Sequence, residues 1–253
     1  MSSAWGSVVK LEAGAHLDGE TLTGADFAEA DLSDAVLVGC VVEDGVFAAT
    51  DLRGARLQRC RLIRCRFSHA DLRETTFEDC LMTDRAAQKG AVFAFSRLEE
   101  AVFRRCEMTH ARFEGAELYG LRLEDCNLTG AVFSRVSFGR TFGRKVERIL
   151  AEFVGCNLAL ADLSGARLAG CRLARCDLRE AELSGADLTG ADLAGANLFQ
   201  AIVDGARFSR TDLRGAEVSG LDLRRLADYQ DLRITPDQQF RLLDAMGVDV
   251  QPE

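Results

Sequence analysis

The sequence predicts an all-β solenoid, a coil whose corners recur every five residues, and two periodicities predict it. Counting in fives from Leu17, a large apolar residue stands at every centre as far as Met82. The register resumes from Phe93 to Phe138 and again from Phe153 to Leu223, and all 39 centres are Leu, Phe, Val or Met. A period of five fits neither a helix at 3.6 nor a flat strand at 2, and self-similarity sustained over most of a chain marks a repeat architecture. The second periodicity lies two residues before each centre, where Ala, Cys, Ser, Thr or Gly stands in 35 of the 39 repeats; the exceptions are Glu20, Leu121, Val136 and Leu221. One large and one small side chain per five therefore point inward, an alternation that fills a narrow tube.

The elements follow in order. Residues 1–14 form a lead-in with no signal-peptide pattern, and residues 15–227 carry the repeats. The remaining positions of each repeat are mostly polar, as in Ala161-Asp162-Leu163-Ser164-Gly165. The register breaks twice. Loop A (residues 83–90) adds Thr83-Asp84-Arg85-Ala86-Ala87-Gln88-Lys89-Gly90, and loop B (residues 139–152) replaces the expected centres at 143 and 148 by Gly and Arg. Residues 228–253 form a capping and dimerisation segment. There Thr235-Pro236-Asp237-Gln238 reads as a capped helix start. Phe240, Leu243 and Met246 make an apolar stripe, and Gly247 is a stop. Val248-Asp249-Val250 alternates like a short strand. An open solenoid end exposes unpaired backbone, so some cap is required.

The tandem A(D/N)LXX pattern, as in Ala186-Asp187-Leu188-Thr189-Gly190, resembles the pentapeptide-repeat family over roughly residues 15–227. That resemblance implies a right-handed quadrilateral β-helix with four five-residue faces per coil, hence about ten coils. At ~4.8 Å per coil the rod is on the order of 47 Å long. A narrower resemblance concerns loop A. Asp84-Arg85-x-x-Gln88-Lys89-Gly90 is similar to the first loop of the Qnr quinolone-resistance proteins, and Phe103-Arg104-Arg105-Cys106 and Ser137-Phe138 continue in matching order. Loop B falls where those proteins carry a longer second loop, with Arg140, Phe142, Arg144, Lys145, Ile149 and Leu150 as its candidate contacts. The resemblance implies that both loops help to protect DNA gyrase and topoisomerase IV from quinolones, and that Phe240, Leu243 and Met246 serve an end-to-end homodimer.

Composition narrows the function classes. All nine cysteines occupy the small inward position and none forms a C-x-x-C pair. They read as buried packing residues, with no metal or disulfide framework expected. His16, His69 and His110 stand in separate repeats, and no nucleophile matches a base, so no catalytic site, cofactor or metal is expected. No apolar run reaches the ~20 residues of a membrane span, so a cytoplasmic location without membrane contact is expected.

The net charge of −9 is uneven. Residues 1–50 carry −8, whereas residues 51–90 carry +3 and include Arg53, Arg56, Arg59, Arg61, Arg64 and Arg66. Asp31, Asp51 and Asp71 stand twenty residues apart and should stack into an acidic face. An acidic rod gains nothing from the general phosphate attraction that drives nucleic-acid binding, but it can compete with DNA for a basic groove. A duplex of ~47 Å carries about 28 phosphates, roughly three times this net charge, so any mimicry is patchy. The expected function is a non-enzymatic protein that binds gyrase or topoisomerase IV and shields it from quinolone-type poisons. Self-immunity against a natural topoisomerase toxin, and a scaffold unrelated to gyrase, stay open as alternatives.

Overall fold

The structure, a computed structural model, describes residues 12–24, 27–142, 146–249 and 251. It is a β-solenoid of parallel stacked coils, closed at one end by a short helix. Successive coils pair at a step of twenty residues: His16 with Val36, Val36 with Arg56, and Arg56 with Thr76. The step widens to twenty-six at Thr76–Val102 and to thirty at Leu121–Ala151, because loops A and B are extra chain looped out of an unbroken ladder. The same ladder continues through Glu152, Arg172, Asp192 and Asp212 to Arg233. Pairing therefore runs past the boundary expected at 227.

The repeat works because each corner is a tight turn. On the turned faces the carbonyl of a centre accepts from the amide three residues on, as Phe27 O does from Ala30 N at 3.0 Å. The residue between them holds a positive φ, 59° at Glu29 and 65° at Gly165. A positive φ at the third residue defines a type II turn. The remaining backbone amides donate to the coil on either side, Leu32 N to Asp51 O and Asp51 N to Ala30 O, so the ladder satisfies most backbone polar groups of the described residues.

The core is as narrow as the pattern requires. On the third face, counted from Leu17 as the first, Phe27, Phe47, Phe67, Phe93, Phe113 and Phe133 stack, with ring centroids 4.3 to 5.1 Å apart. Seven cysteines (Cys40, Cys60, Cys80, Cys106, Cys126, Cys156 and Cys176) form one inward column before the second-face centres. Cys65 and Cys171 lie in other columns, and all nine are buried free thiols. Each thiol of the column also donates to a carbonyl of the preceding coil, for example Cys80 Sγ to Leu57 O at 3.3 Å. Thr50, Thr75 and Thr211 do the same from the equivalent position. Burial pushes the Cys65 thiol up to about 12 and the Cys171 thiol up to about 11.

At the C-terminus, Pro236–Gln238 is one 3-10 turn and Gln239–Ala245 an α-helix. The capping box between Thr235 and Gln238 is present. Gly247, at φ 77°, ends the helix, with Val248 N bonded to Leu243 O and Gly247 N to Asp244 O. This paired arrangement satisfies the last carbonyls. One expectation is corrected. Val248 and Asp249 are not a strand, because Val248 donates back to the helix end instead of to a neighbouring coil; Val250 lies outside the described residues. The buried residue of the helix is Leu242, while Phe240 is 53% exposed and Leu243 and Met246 are half-buried. A seven-residue helix laid across a coil end can bury only one narrow stripe, and the glutamine fixes which one. Gln238 Nε2 donates at 2.7 Å to both Leu213 O and Ala216 O of the last coil. Among the described residues no helix is long and apolar enough to cross a membrane.

Candidate functional site

Loop A is a small antiparallel hairpin, Thr83–Asp84 against Lys89–Gly90, standing on the edge between the second and third faces. Its base is fixed by Asp84. This carboxylate accepts from Arg64 Nη1 at 2.8 Å and from the amides of Ala86 and Ala87 at 3.1 and 3.0 Å. Arg64, then the Ala87 and Ala86 amides, hold the Asp84 carboxyl below the usual carboxylate range. Arg64 also grips Asp44 in a bidentate pair, Nε to Oδ1 at 2.7 Å and Nη2 to Oδ2 at 2.9 Å. Thr83 Oγ1 donates to Thr109 O at 3.1 Å. Gly90 is obligatory for a different reason: a Cβ there would collide with the backbone of Thr109, His110 and Ala111. Arg85, Gln88 and Lys89 project outward. Arg85 is 78% exposed, with Glu107 its nearest carboxylate at 3.7 Å. So the five candidate residues of loop A divide: Asp84 and Gly90 hold the hairpin, and Arg85, Gln88 and Lys89 face solvent.

Arg64 escaped the sequence reading as an anchor. The signal was available, because Asp44, Arg64 and Asp84 are spaced at the coil step of twenty and alternate in charge.

Loop B is a longer antiparallel hairpin, Gly139–Phe142 against Val146–Ile149, on the edge between the fourth and first faces. Arg140 places its guanidinium 6.0 Å from the Tyr119 ring centroid. Ile149 turns in and packs against the core, whereas Leu150 is 45% exposed. Leu150 ties the hairpin to the ladder through its backbone, donating to Phe138 O and accepting from Gly120 N. Arg144 and Lys145 lie outside the described residues, as does the Phe142 side chain. The two hairpins thus leave diagonally opposite edges of the rod. Along the axis they are about two and a half ladder steps apart, or ~12 Å.

Asp31, Asp51 and Asp71 stack in register. The column is not bare. Arg53 forms a bidentate pair with Asp51, Arg73 binds Asp71 at 2.6 Å, and Arg97 reaches Asp71 at 3.6 Å. The Asp51 carboxyl is lowered chiefly by Arg53. The run of arginines seen in the sequence becomes a basic girdle around one coil, with its Arg53 end neutralising this face.

Comparison with known proteins follows the same outline. The profile described as "Pentapeptide repeats" matches residues 89–123, 156–194 and 191–225, and "Pentapeptide repeat region" matches residues 15–86. No curated protein matches the sequence significantly. Among solved structures, full-length QnrB1, a plasmid-mediated fluoroquinolone resistance protein, is similar over 92% of this chain and 100% of its own, at 26% identity and a TM-score of 0.77. Two trypsin-treated variants of that protein are similar over 95% and 94% of this chain and all of their own. Their identities are 26% and 27%, each with a TM-score of 0.73.

Proposed function

The chain belongs to the pentapeptide-repeat family, and from that premise we propose that it is a non-enzymatic protein that binds DNA gyrase or topoisomerase IV and protects the enzyme from quinolone-type poisons. The observation that carries the reading is the pair of hairpins on a rod similar to QnrB1 over 92% of this chain, one of them built on the Asp84-to-Gly90 string. The hairpin geometry favours a partner that embraces the rod. A flat surface meets one edge of a four-sided rod, whereas walls on both sides of a cleft meet both hairpins at once. A preformed ladder holds the hairpins in place, so little ordering entropy opposes binding.

DNA mimicry contributes less in this proposal than the loops do. Arg53, Arg73 and Arg97 offset the Asp51–Asp71 part of the column, and Asp31 has no ion-pair partner among the described residues. In the same reading the exposed Phe240 and the half-buried Leu243 and Met246 at the capped end pair two copies into a homodimer.

The test is supercoiling by purified gyrase in the presence of a quinolone. Wild-type protein should restore supercoiling. A variant lacking residues 84–89 should fold and give no rescue, because a loop outside the ladder is removed at small cost to packing. Rescue by the loop-deleted protein would move the activity to the rod surface, and no rescue or gyrase binding by the wild type would leave a scaffold.

A further inference from the structure

The third face beside loop A is smooth, cationic and walled. One outward column alternates Val46, Arg66, Val92, Arg112 and Val132 in register. The column next to it is small where it passes loop A, at Ser68 and Ala94. Loop A closes one edge of this face, returning to the coil at Gly90. Phe95 closes the other.

Phe95 sits at a corner with φ 56°, as many corners of this rod do, and it is an aromatic residue left 48% exposed. The fold does not require a ring there, since the same corner is Ala49 two coils earlier and Gly115 one coil later. The ring stacks on His69 at 5.3 Å and lies over Gly115. A large ring left exposed at a corner where alanine or glycine serves in neighbouring coils points to use rather than to packing.

The cations point the same way. Arg66 and Lys89 pair with no carboxylate among the described residues, and Arg112 reaches only Glu114, at 4.0 Å. Two hollows of about 300 and 390 Å³ sit in the angle between loop A and the face. The first is lined by Arg66, Lys89 and Val92 together with Asp44, whose charge Arg64 takes up, and the second by Lys89, Val92 and Arg112.

We propose that this trough docks an acidic, amphipathic helical segment of the partner protein. Arg66, Lys89 and Arg112 meet its carboxylates, and Val92 and Phe95 meet its apolar side chains. The identity of the partner rests on the topoisomerase reading above; the chemistry of the trough does not. Charge complementarity selects an acidic occupant on a chain whose net charge is −9. The patch is short and the remaining surface acidic, which disfavours a long polyanion such as duplex DNA. Spacing selects a helix. Arg66 and Arg112 are two ladder steps apart, ~9.6 Å. Residues i and i+7 of a helix are ~10.5 Å apart on one face, whereas strand residues ~10 Å apart fall on opposite faces.

Three probes test the proposal: a fluorescent helical peptide with glutamates at i and i+7 flanking a leucine, a short DNA duplex, and purified gyrase. Each is titrated with the full chain, with Arg66→Glu/Arg112→Glu, with Phe95→Ala, and with Arg175→Glu as a control on a remote edge. Both trough variants should melt as the wild type does and lose about tenfold in affinity for peptide and gyrase, with the control unchanged. The trough is overturned if the wild type ignores the peptide, or if the variants bind peptide or gyrase as well as the wild type does. Duplex binding that depends on Arg66 and Arg112 overturns it too, in favour of nucleic acid. Peptide binding through the trough with no gyrase binding leaves the trough standing and removes the topoisomerase.

Discussion

Left-handed corners are the most demanding thing this fold asks of single residues. Among the described residues twenty-two non-glycines hold a positive φ, a conformation that costs roughly 1–2 kcal/mol for a residue with a Cβ. Leu160 is one of them, at φ 60° and 57% exposed, so its side chain gains little in return. Leu160→Gly should therefore raise stability by about 0.5–1 kcal/mol, the corner strain less the entropy glycine adds to the unfolded chain. A lower melting temperature for this variant would show that the corner is unstrained. Inside the tube the signs reverse. Leu173→Ala should cost roughly 2–5 kcal/mol in denaturant unfolding, because a one-residue-wide core cannot close over the cavity. Cys171→Ala should cost only about 1 kcal/mol. Gln238→Leu removes the donor to two buried carbonyls and should cost about 1–3 kcal/mol, read as an earlier melt.

At the scale of elements, loop A is a hairpin held by one ion network. Asp84 has its carboxyl pK lowered by Arg64 and by the Ala87 and Ala86 amides, so the folded form binds its proton more weakly than the unfolded form. The stabilisation is complete above the unfolded value of about 3.9 and is lost as pH falls through the lower folded value. Exchange of the loop A amides should therefore stay protected down to about pH 4 and speed up below it. Asp84→Asn should show the fast exchange at neutral pH while the ladder stays protected. Protection unchanged in Asp84→Asn would mean that Thr83 and Gly90 suffice to hold the hairpin. The hairpins were visible in the sequence as breaks in register, because an added segment shifts every later centre. Their internal division shows only at the twenty-residue step. Nothing local to Asp84 distinguishes it from Arg85 until Arg64, one coil earlier, is placed beside it.

At the scale of the molecule, the capped end leaves Phe240 exposed beside the half-buried Leu243 and Met246. If two rods meet there, Phe240→Asp places a charge in the interface. The variant should elute as a monomer in size-exclusion chromatography with light scattering. A wild type that is itself monomeric at tens of micromolar would reject the dimer and leave the segment as a cap alone.

The five-residue period by itself determined the solenoid, its inward positions, the buried thiols and the places where chain leaves the ladder. It could do so because each repeat's environment is set by its neighbours four units away, and a constant step makes sequence distance equal to spatial distance. Tertiary structure decided what that step does not encode. It gave the two breaks their form, each an antiparallel hairpin standing off the ladder. It set Arg53, Arg73 and Arg97 against the aspartate column, and it chose Leu242 and Gln238 over Phe240 to close the end. It also brought Arg66, Lys89, Arg112 and Phe95 around one face. Those four come from three coils and one loop, and only the stacking of coils makes them neighbours.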